Sequence, residues 1–268
     1  MLLFCVIYFF GRTIPPKKNV DGAVAATDSN AVTINNILDA SRSQLPASQQ
    51  TFLMQLEAAV VRGDVKDQQI KVFKQLASFW KDSAHMLLPA AWYTGQAAKL
   101  ENSEKNLTFA ARLFLDGVRR QENTVLKKWM AEQAKELFEK VLVINPANDS
   151  AKVELGSCYI FGGIGETPMD GIKMIRDVAD KNPANVYAQY TLALGSLMSG
   201  QSDRAIERLL KVVQYEPNNV DASLLLADTY EQKGDKTNAV KWYEVCKKLI
   251  DEPGFKKDID DRINSLKK

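Results

Sequence analysis

The sequence has little of the chemistry that catalysis and metal binding draw on. Among its 268 residues there is one histidine, His85, which excludes a multi-histidine metal site and leaves a single imidazole for acid–base work. The only cysteines, Cys5, Cys158 and Cys246, stand far apart without C-x-x-C or C-x-x-H spacing. They read as free thiols rather than zinc ligands or a disulfide framework. An excess of one charge is also missing. With 35 basic and 33 acidic residues the formal net charge is +2, which is neither the basic excess of a nucleic-acid binder nor the imbalance of a disordered chain.

The remaining candidates for chemistry fail on spacing. Gly162-Gly163-Ile164-Gly165 follows a helical run rather than a strand, has Pro168 where a dinucleotide fingerprint needs glycine, and lacks the lysine of a phosphate loop. It reads as a turn. Asp258, Asp260 and Asp261 have no twelve-residue calcium loop around them and alternate with an apolar stripe, so they read as a solvated face. His85 has no evident Ser, Cys or Asp partner set. No cofactor, no metal and no enzymatic activity are expected.

A long apolar run is absent too. Leu2 to Phe10 (LLFCVIYFF) is nine residues, about half of the roughly 20 that cross a bilayer as a helix. The alternatives are a signal peptide, an interfacial anchor, a buried core segment, and a single-pass anchor that begins upstream of Met1. A signal peptide is disfavoured because a charged n-region is missing and the nearest small-x-small site, Ala23-Val24-Ala25, lies well beyond the run. The aromatic and aliphatic cluster before Arg12, Pro15, Pro16, Lys17 and Lys18 favours the anchor. The expected organisation is therefore an N-terminal membrane segment over 1–16 and a linker with a weak helix over 17–47. Arg12, Lys17 and Lys18 with free thiols lean toward a cytoplasmic domain, although charges upstream would reverse that.

What is abundant is helical periodicity with regular punctuation. Asn145-Pro146-Ala147-Asn148, Asn182-Pro183-Ala184-Asn185 and Glu216-Pro217-Asn218-Asn219 each follow a helical run, and their prolines are 37 and 34 residues apart. Between them recur Leu155, Gly156 and Tyr159, then Leu192, Ala193, Gly200 and Ala205, then Leu226, Ala227, Tyr230, Gly234, Ala239 and Tyr243. This pattern closely resembles the tetratricopeptide-repeat (TPR) family, whose period is about 34 residues and whose small residues let two helices of a repeat cross closely. The resemblance implies an all-α fold, an antiparallel helix-pair solenoid. Three repeats span 149–185, 186–219 and 220–253, and degenerate TPR-like pairs span 48–148. The stripe Phe255, Ile259, Ile263 and Leu266 over 254–268 suits a capping helix.

The resemblance also implies a surface. Where TPR proteins bind peptides, the first helix of each repeat lines a concave groove, which by register gives Val153, Ser157, Ile160 and Phe161, then Tyr187, Tyr190, Leu194, Leu197 and Met198, then Leu224, Asp228 and Glu231. The set is apolar and aromatic with an acidic end. A carboxylate clamp is excluded, since Val153, Ser157, Thr191, Asp221 and Leu225 occupy its positions and offer no cation. The expected partner is a protein or peptide with an amphipathic or apolar segment, alongside the membrane through the N-terminus and no nucleic acid. Similarity to bacterial membrane-anchored TPR proteins implies a scaffold or adaptor of the cell envelope, which leans away from the cytoplasm. The alternatives are a permanent structural subunit with no exchangeable ligand, and burial of the same groove by the chain's own helices or by self-association.

Overall fold

A computed structural model describes residues 32–61, 65–165 and 167–267. Cys5 and the expected membrane segment lie outside the described residues. Among those residues every regular element is a helix, and the chain divides into two compact units between Pro168 and Met169. The division falls inside the segment 149–185, so the two helices of that expected repeat belong to different units.

The first unit begins with α1 (Ile34–Arg42), α2 (Ala47–Val61) and α3 (Lys66–Ser78). Thr33 starts α1 with a capping box in which its hydroxyl accepts from the Asn36 amide and its own amide donates to Asn36 Oδ1. A π-helical turn over Phe79–Ser83 extends α3. Then come α4 (Leu87–Glu101), α5 (Glu104–Arg120), α6 (Thr124–Ile144) and α7 (Asp149–Gly162). Helices adjacent in sequence pack on one another from α2 to α7, and α5 also meets α7. One core gathers Leu38, Leu53, Leu76, Trp80, Met86 and Tyr93 from the first four helices. The π turn carries Phe79 and Trp80 into that core, and its chain exits through His85, which is exposed and held at φ 56.

Small residues bring α5, α6 and α7 together. A Cβ placed on Gly117 of α5 would come 2.0 Å from Met130 Cε of α6, and one on Gly162 of α7 would come 2.1 Å from Ala131 Cβ. At Gly162 the obstacle is a Cβ of the neighbouring helix, so a side chain there forces the helices to move, whereas at Gly117 the flexible end of Met130 has to turn aside.

The second unit contains α8 (Met169–Lys181), α9 (Val186–Met198), α10 (Ser202–Tyr215), α11 (Val220–Gln232), α12 (Lys236–Leu249) and α13 (Pro253–Leu266). Its closest pairs are α9 with α10 and α11 with α12, and α10 with α11 joins the two. Each proline turn does two jobs. It ends one helix, and its last asparagine caps the next: Asn148, Asn185 and Asn219 accept from the amides of Ala151, Ala188 and Ala222. Gly200 and Gly234, at φ 71 and 78, make the turns inside the two pairs, a region costly for other residues. The C-terminal stripe is buried: Ile259 and Ile263 pack against Leu224, Ala227, Tyr243 and Cys246, with Phe255 and Leu266 at the margin.

Ala205 and Ala239 are fully buried, each on the second helix of its pair. An indole at either position has no room, and overpacking of this kind typically costs about 1–3 kcal/mol or more. Ala205→Trp and Ala239→Trp are each expected to lower the thermal midpoint by several degrees, whereas an unchanged midpoint in both would refute the register.

Candidate partner-binding faces

On α7 the expected groove is not open. Val153 and Ser157 are fully buried, Ile160 nearly so, and only Phe161 keeps partial exposure. The reason lies in the packing of α7 against both α5 and α6. The Ser157 hydroxyl donates within the helix to the Val153 carbonyl at 2.9 Å and is fully buried, so a ligand cannot reach it. Phe161 lies under the Arg119 guanidinium, 5.6 Å from the ring centroid. Arg112, one turn of α5 before Asp116, reaches α7 as well: its Nε donates to Glu154 Oε1 at 2.6 Å. Glu154 is buried, and burial raises its carboxyl above the ordinary range, with Arg112 opposing. Its other oxygen is buried without a hydrogen-bond partner. Sequence reasoning passes over Glu154, because a glutamate on a helix reads as solvated until the neighbouring helix is known.

On α11 the face is closed by the chain itself. Leu224 and Asp228 are buried, and Glu231 is half-buried. Leu224 belongs to the core shared with α12 and α13. The Tyr243 hydroxyl of α12 lies 2.5 Å from Asp228 Oδ1 and 2.6 Å from Glu231 Oε2, so one phenolic proton serves two carboxylates. Arg262 of α13 completes the group, with Nε donating to Glu231 at 2.7 Å, a terminal nitrogen 3.4 Å from Asp228, and the guanidinium 5.2 Å from the centre of the Tyr243 ring. Burial and then the Asp228 charge raise the Tyr243 pKa, which keeps the phenol a donor. The acidic end of the expected groove is therefore an internal ion-pair cluster.

On α9 the face stays available. Met198 is 62% exposed, and Tyr187, Tyr190, Leu194 and Leu197 are partly exposed. Tyr190, Leu194 and Leu197 also touch the core formed by Ala193, Ile206, Leu209, Leu225 and Leu226. These three serve the fold as well as the surface, so only Tyr187 and Met198 can be altered without cutting into that core.

Away from these faces, a cleft of about 1030 Å³ opens on the first unit, lined among others by Phe52, Leu56, Ile70, Lys71, Lys74 and Phe79. Its lining holds three lysines and three carboxylates: Lys74 pairs with Glu101 at 2.5 Å, and Lys66, Lys71, Asp67 and Asp82 are the others. Among the described residues no group of three or more His, Cys, Asp or Glu could hold a metal ion, and no helix is long and apolar enough to cross a membrane. Cys158 and Cys246 are buried free thiols, each pushed up to about 12 by burial and a nearby carboxylate. They stay protonated and unreactive at neutral pH.

The raised Glu154 carboxyl has a pH consequence. A folded-state pKa above the unfolded one means that stability present below the unfolded value is lost as pH rises through the folded value. Glu154→Gln keeps an acceptor for Arg112 and removes the charge. Denaturant midpoints measured from pH 3.5 to 7.5 are expected to improve for the variant relative to wild type as pH rises, and a gap that is constant or narrows would contradict this.

The helix pairs and their turns have counterparts in known proteins. Residues 190–248 match the family described as tetratricopeptide repeat, a range that runs from Tyr190 of α9 to Lys248 of α12. TTC0263, a thermophilic TPR protein of Thermus thermophilus, has a similar structure with a TM-score of 0.50 and 16% identity, covering 75% of this chain and 98% of that one. PilW, a widely conserved type IV pilus biogenesis factor, gives 0.49 and 18%, covering 68% and 78%. MamA from Desulfovibrio magneticus RS-1 gives 0.48 and 20%, covering 70% and 96%. At these identities the likeness to TTC0263 speaks for the fold alone. No curated protein matches the sequence. Repeat signature and capped helix pairs agree: residues 190–248 carry the tetratricopeptide repeat.

Proposed function

We propose that the chain is a protein-interaction scaffold that takes an apolar or amphipathic segment of a partner polypeptide along α9, and that the Leu2–Phe10 run ties it to a membrane. One observation carries the first half. Of the helices expected to present a groove, α9 alone combines two tyrosines, two leucines and a methionine on a face left partly exposed, with Met198 at 62%. The corresponding face of α11 is held by α13. Tyrosine and methionine suit this role, since they supply large contact area and adapt to a partner's shape. An amphipathic helix laid along such a face places its own apolar residues at i, i+3 and i+4 against them. The tether rests on the composition of the run, which is costly to leave in water.

The competing reading is a permanent subunit of a membrane complex, in which the same face is buried for good. The two differ in exchange. The test uses the full chain carrying Tyr187→Asp and Met198→Asp, compared with wild type on membranes of the source organism, with circular dichroism and thermal midpoint as controls. The expected result is at least a tenfold loss of a captured polypeptide that rebinds the wild-type chain once purified, and an unchanged fold. A partner that co-purifies one to one through high salt and survives the double variant would favour the permanent subunit. Deleting residues 2–10 is expected to move the chain from the membrane pellet to the supernatant, and continued pelleting would remove the tether.

A further inference from the structure

The first unit presents an apolar edge that its described helices leave uncovered. Along α2 the described side chains include one that is buried, Leu53, although apolar groups stand on both flanks of the helix: Phe52 and Leu56 on one, Met54 and Ala58 on the other. Phe52 is 50% exposed and Met54 60%. A helix that is apolar on more than one side is normally enclosed, and the end of a solenoid normally turns a polar face outward. The preceding helix does not supply the cover. It is fastened to α2 through Arg42 and Glu57, 2.7 Å apart, and leaves Phe52 and Met54 in water.

The Phe52 flank opens into the cleft of about 1030 Å³, whose apolar wall is Phe52, Leu56, Ile70 and Phe79. The Phe52 and Phe79 rings lie 5.7 Å apart and tilted, an arrangement to which a further aromatic ring can add. This cleft belongs to α2, α3 and the α4–α5 turn, far before the repeats over 149–253 whose first helices were expected to form the groove. The sequence holds an occupant of matching chemistry, the apolar run over residues 2–10, with Phe4, Tyr8, Phe9 and Phe10. Residues 11–31 separate it from the start of the described chain. A coil of that length spans about 25 Å, and α1 is about 14 Å long, so the run reaches α2 with chain to spare. Such a tether holds it opposite the cleft at an effective concentration in the millimolar range.

We propose that this cleft is the seat of the chain's own apolar run, residues 2–10, whose aromatic side chains cover Phe52 and Phe79. Both the run and the apolar wall are costly to leave in water, and docking one on the other removes both from solvent without a second polypeptide. Residence in the cleft and insertion into a bilayer exclude each other, so the seat competes with the membrane for the tether. Only that competition rests on the tether reading; the seat itself stands apart from it and from the α9 face.

Cys5 lies inside the run and supplies the probe, because Cys158 and Cys246 are buried and stay protonated. Gln75→Cys and Ser83→Cys are made singly in the full chain; both residues line the cleft and are exposed. Glu122→Cys, exposed in the same unit and outside the cleft lining, is the control. Under mild copper–phenanthroline oxidation without lipid, each cleft thiol is expected to form an intramolecular disulfide with Cys5 at least tenfold faster than the control, identified by mass spectrometry of the joined peptides. Adding Phe52→Asp to Gln75→Cys is expected to slow the reaction at least fivefold, with circular dichroism checking the fold. Equal rates at the three positions, an unchanged rate in the folded Phe52→Asp chain, or a disulfide that only joins two chains overturns the proposal, the last making a second copy the occupant. Should Phe52→Asp fail to fold, the two cleft positions against the control still decide. Vesicles of phosphatidylcholine with phosphatidylglycerol are then added. Suppression of the disulfide supports the competition, whereas a disulfide that persists keeps the seat and removes the tether, so the two readings fail separately.

Discussion

The structure depends on how closely its helices can approach. Ala131 of α6 and Gly162 of α7 leave no room for one more methyl group, while Gly117 of α5 makes space for the flexible end of Met130. In the second unit Ala193, Ala205, Ala227 and Ala239 are fully buried in the α9–α10 and α11–α12 pairs. Close approach makes large residues on neighbouring positions, such as Phe138, Leu209 and Tyr243, meet across the pair and bury completely. Burying side chains of this size contributes about 1.5–3 kcal/mol each, which no single helix achieves in isolation. The faces left over are those that the pairing does not use, and function has to be sought there.

Polar groups then decide which leftover faces stay open. In the first unit Arg42 of α1 donates to Glu57 at 2.7 Å, and the same carboxylate oxygen accepts from Tyr93 at 2.9 Å. In the second, Arg262 of α13 meets Glu231 and Asp228, which share Tyr243. Both units thus fasten an outlying helix with an arginine, an acid and a tyrosine from a neighbouring helix. The tyrosine matters in both because burial raises its pKa and keeps its proton available for the acid. Fastening α13 buries Leu224 and Asp228 and half-covers Glu231, and the face left more open is that of α9. That surface, of tyrosine, leucine and methionine, is the one on which the proposed docking of a partner's apolar segment rests.

Much of this is legible in the sequence. The proline–asparagine turns mark helix ends and the caps that follow, so all three turns can be placed from residue order alone, and Ala205 and Ala239 fall at buried crossing positions because the period is local. The faces are harder. Periodicity tells which side of α11 carries Asp228 and Glu231, and the stripe of α13 announces a cap. Nothing local says that Arg262, 31 residues after Glu231, arrives between the two acids. Register alone makes Val153 and Ser157 look open for the same reason: burial on α7 follows from its packing on both α5 and α6. The π turn at Phe79–Ser83 leaves no mark in the sequence, because its widened hydrogen bonding, including Ala84 N–H to the Phe79 carbonyl at 3.0 Å, leaves the apolar spacing nearly unchanged.

The dependence on close approach can be measured at one contact. Gly162→Ala should destabilise the chain, since its new methyl group meets Ala131 at 2.1 Å. Ala131→Gly alone should cost about 1 kcal/mol from helix propensity. A double-mutant cycle by denaturant unfolding isolates what the two share. Steric control predicts that the double variant recovers at least about 1 kcal/mol relative to the sum of the single losses. Strict additivity would show that the helices adjust freely at this point and would contradict the account.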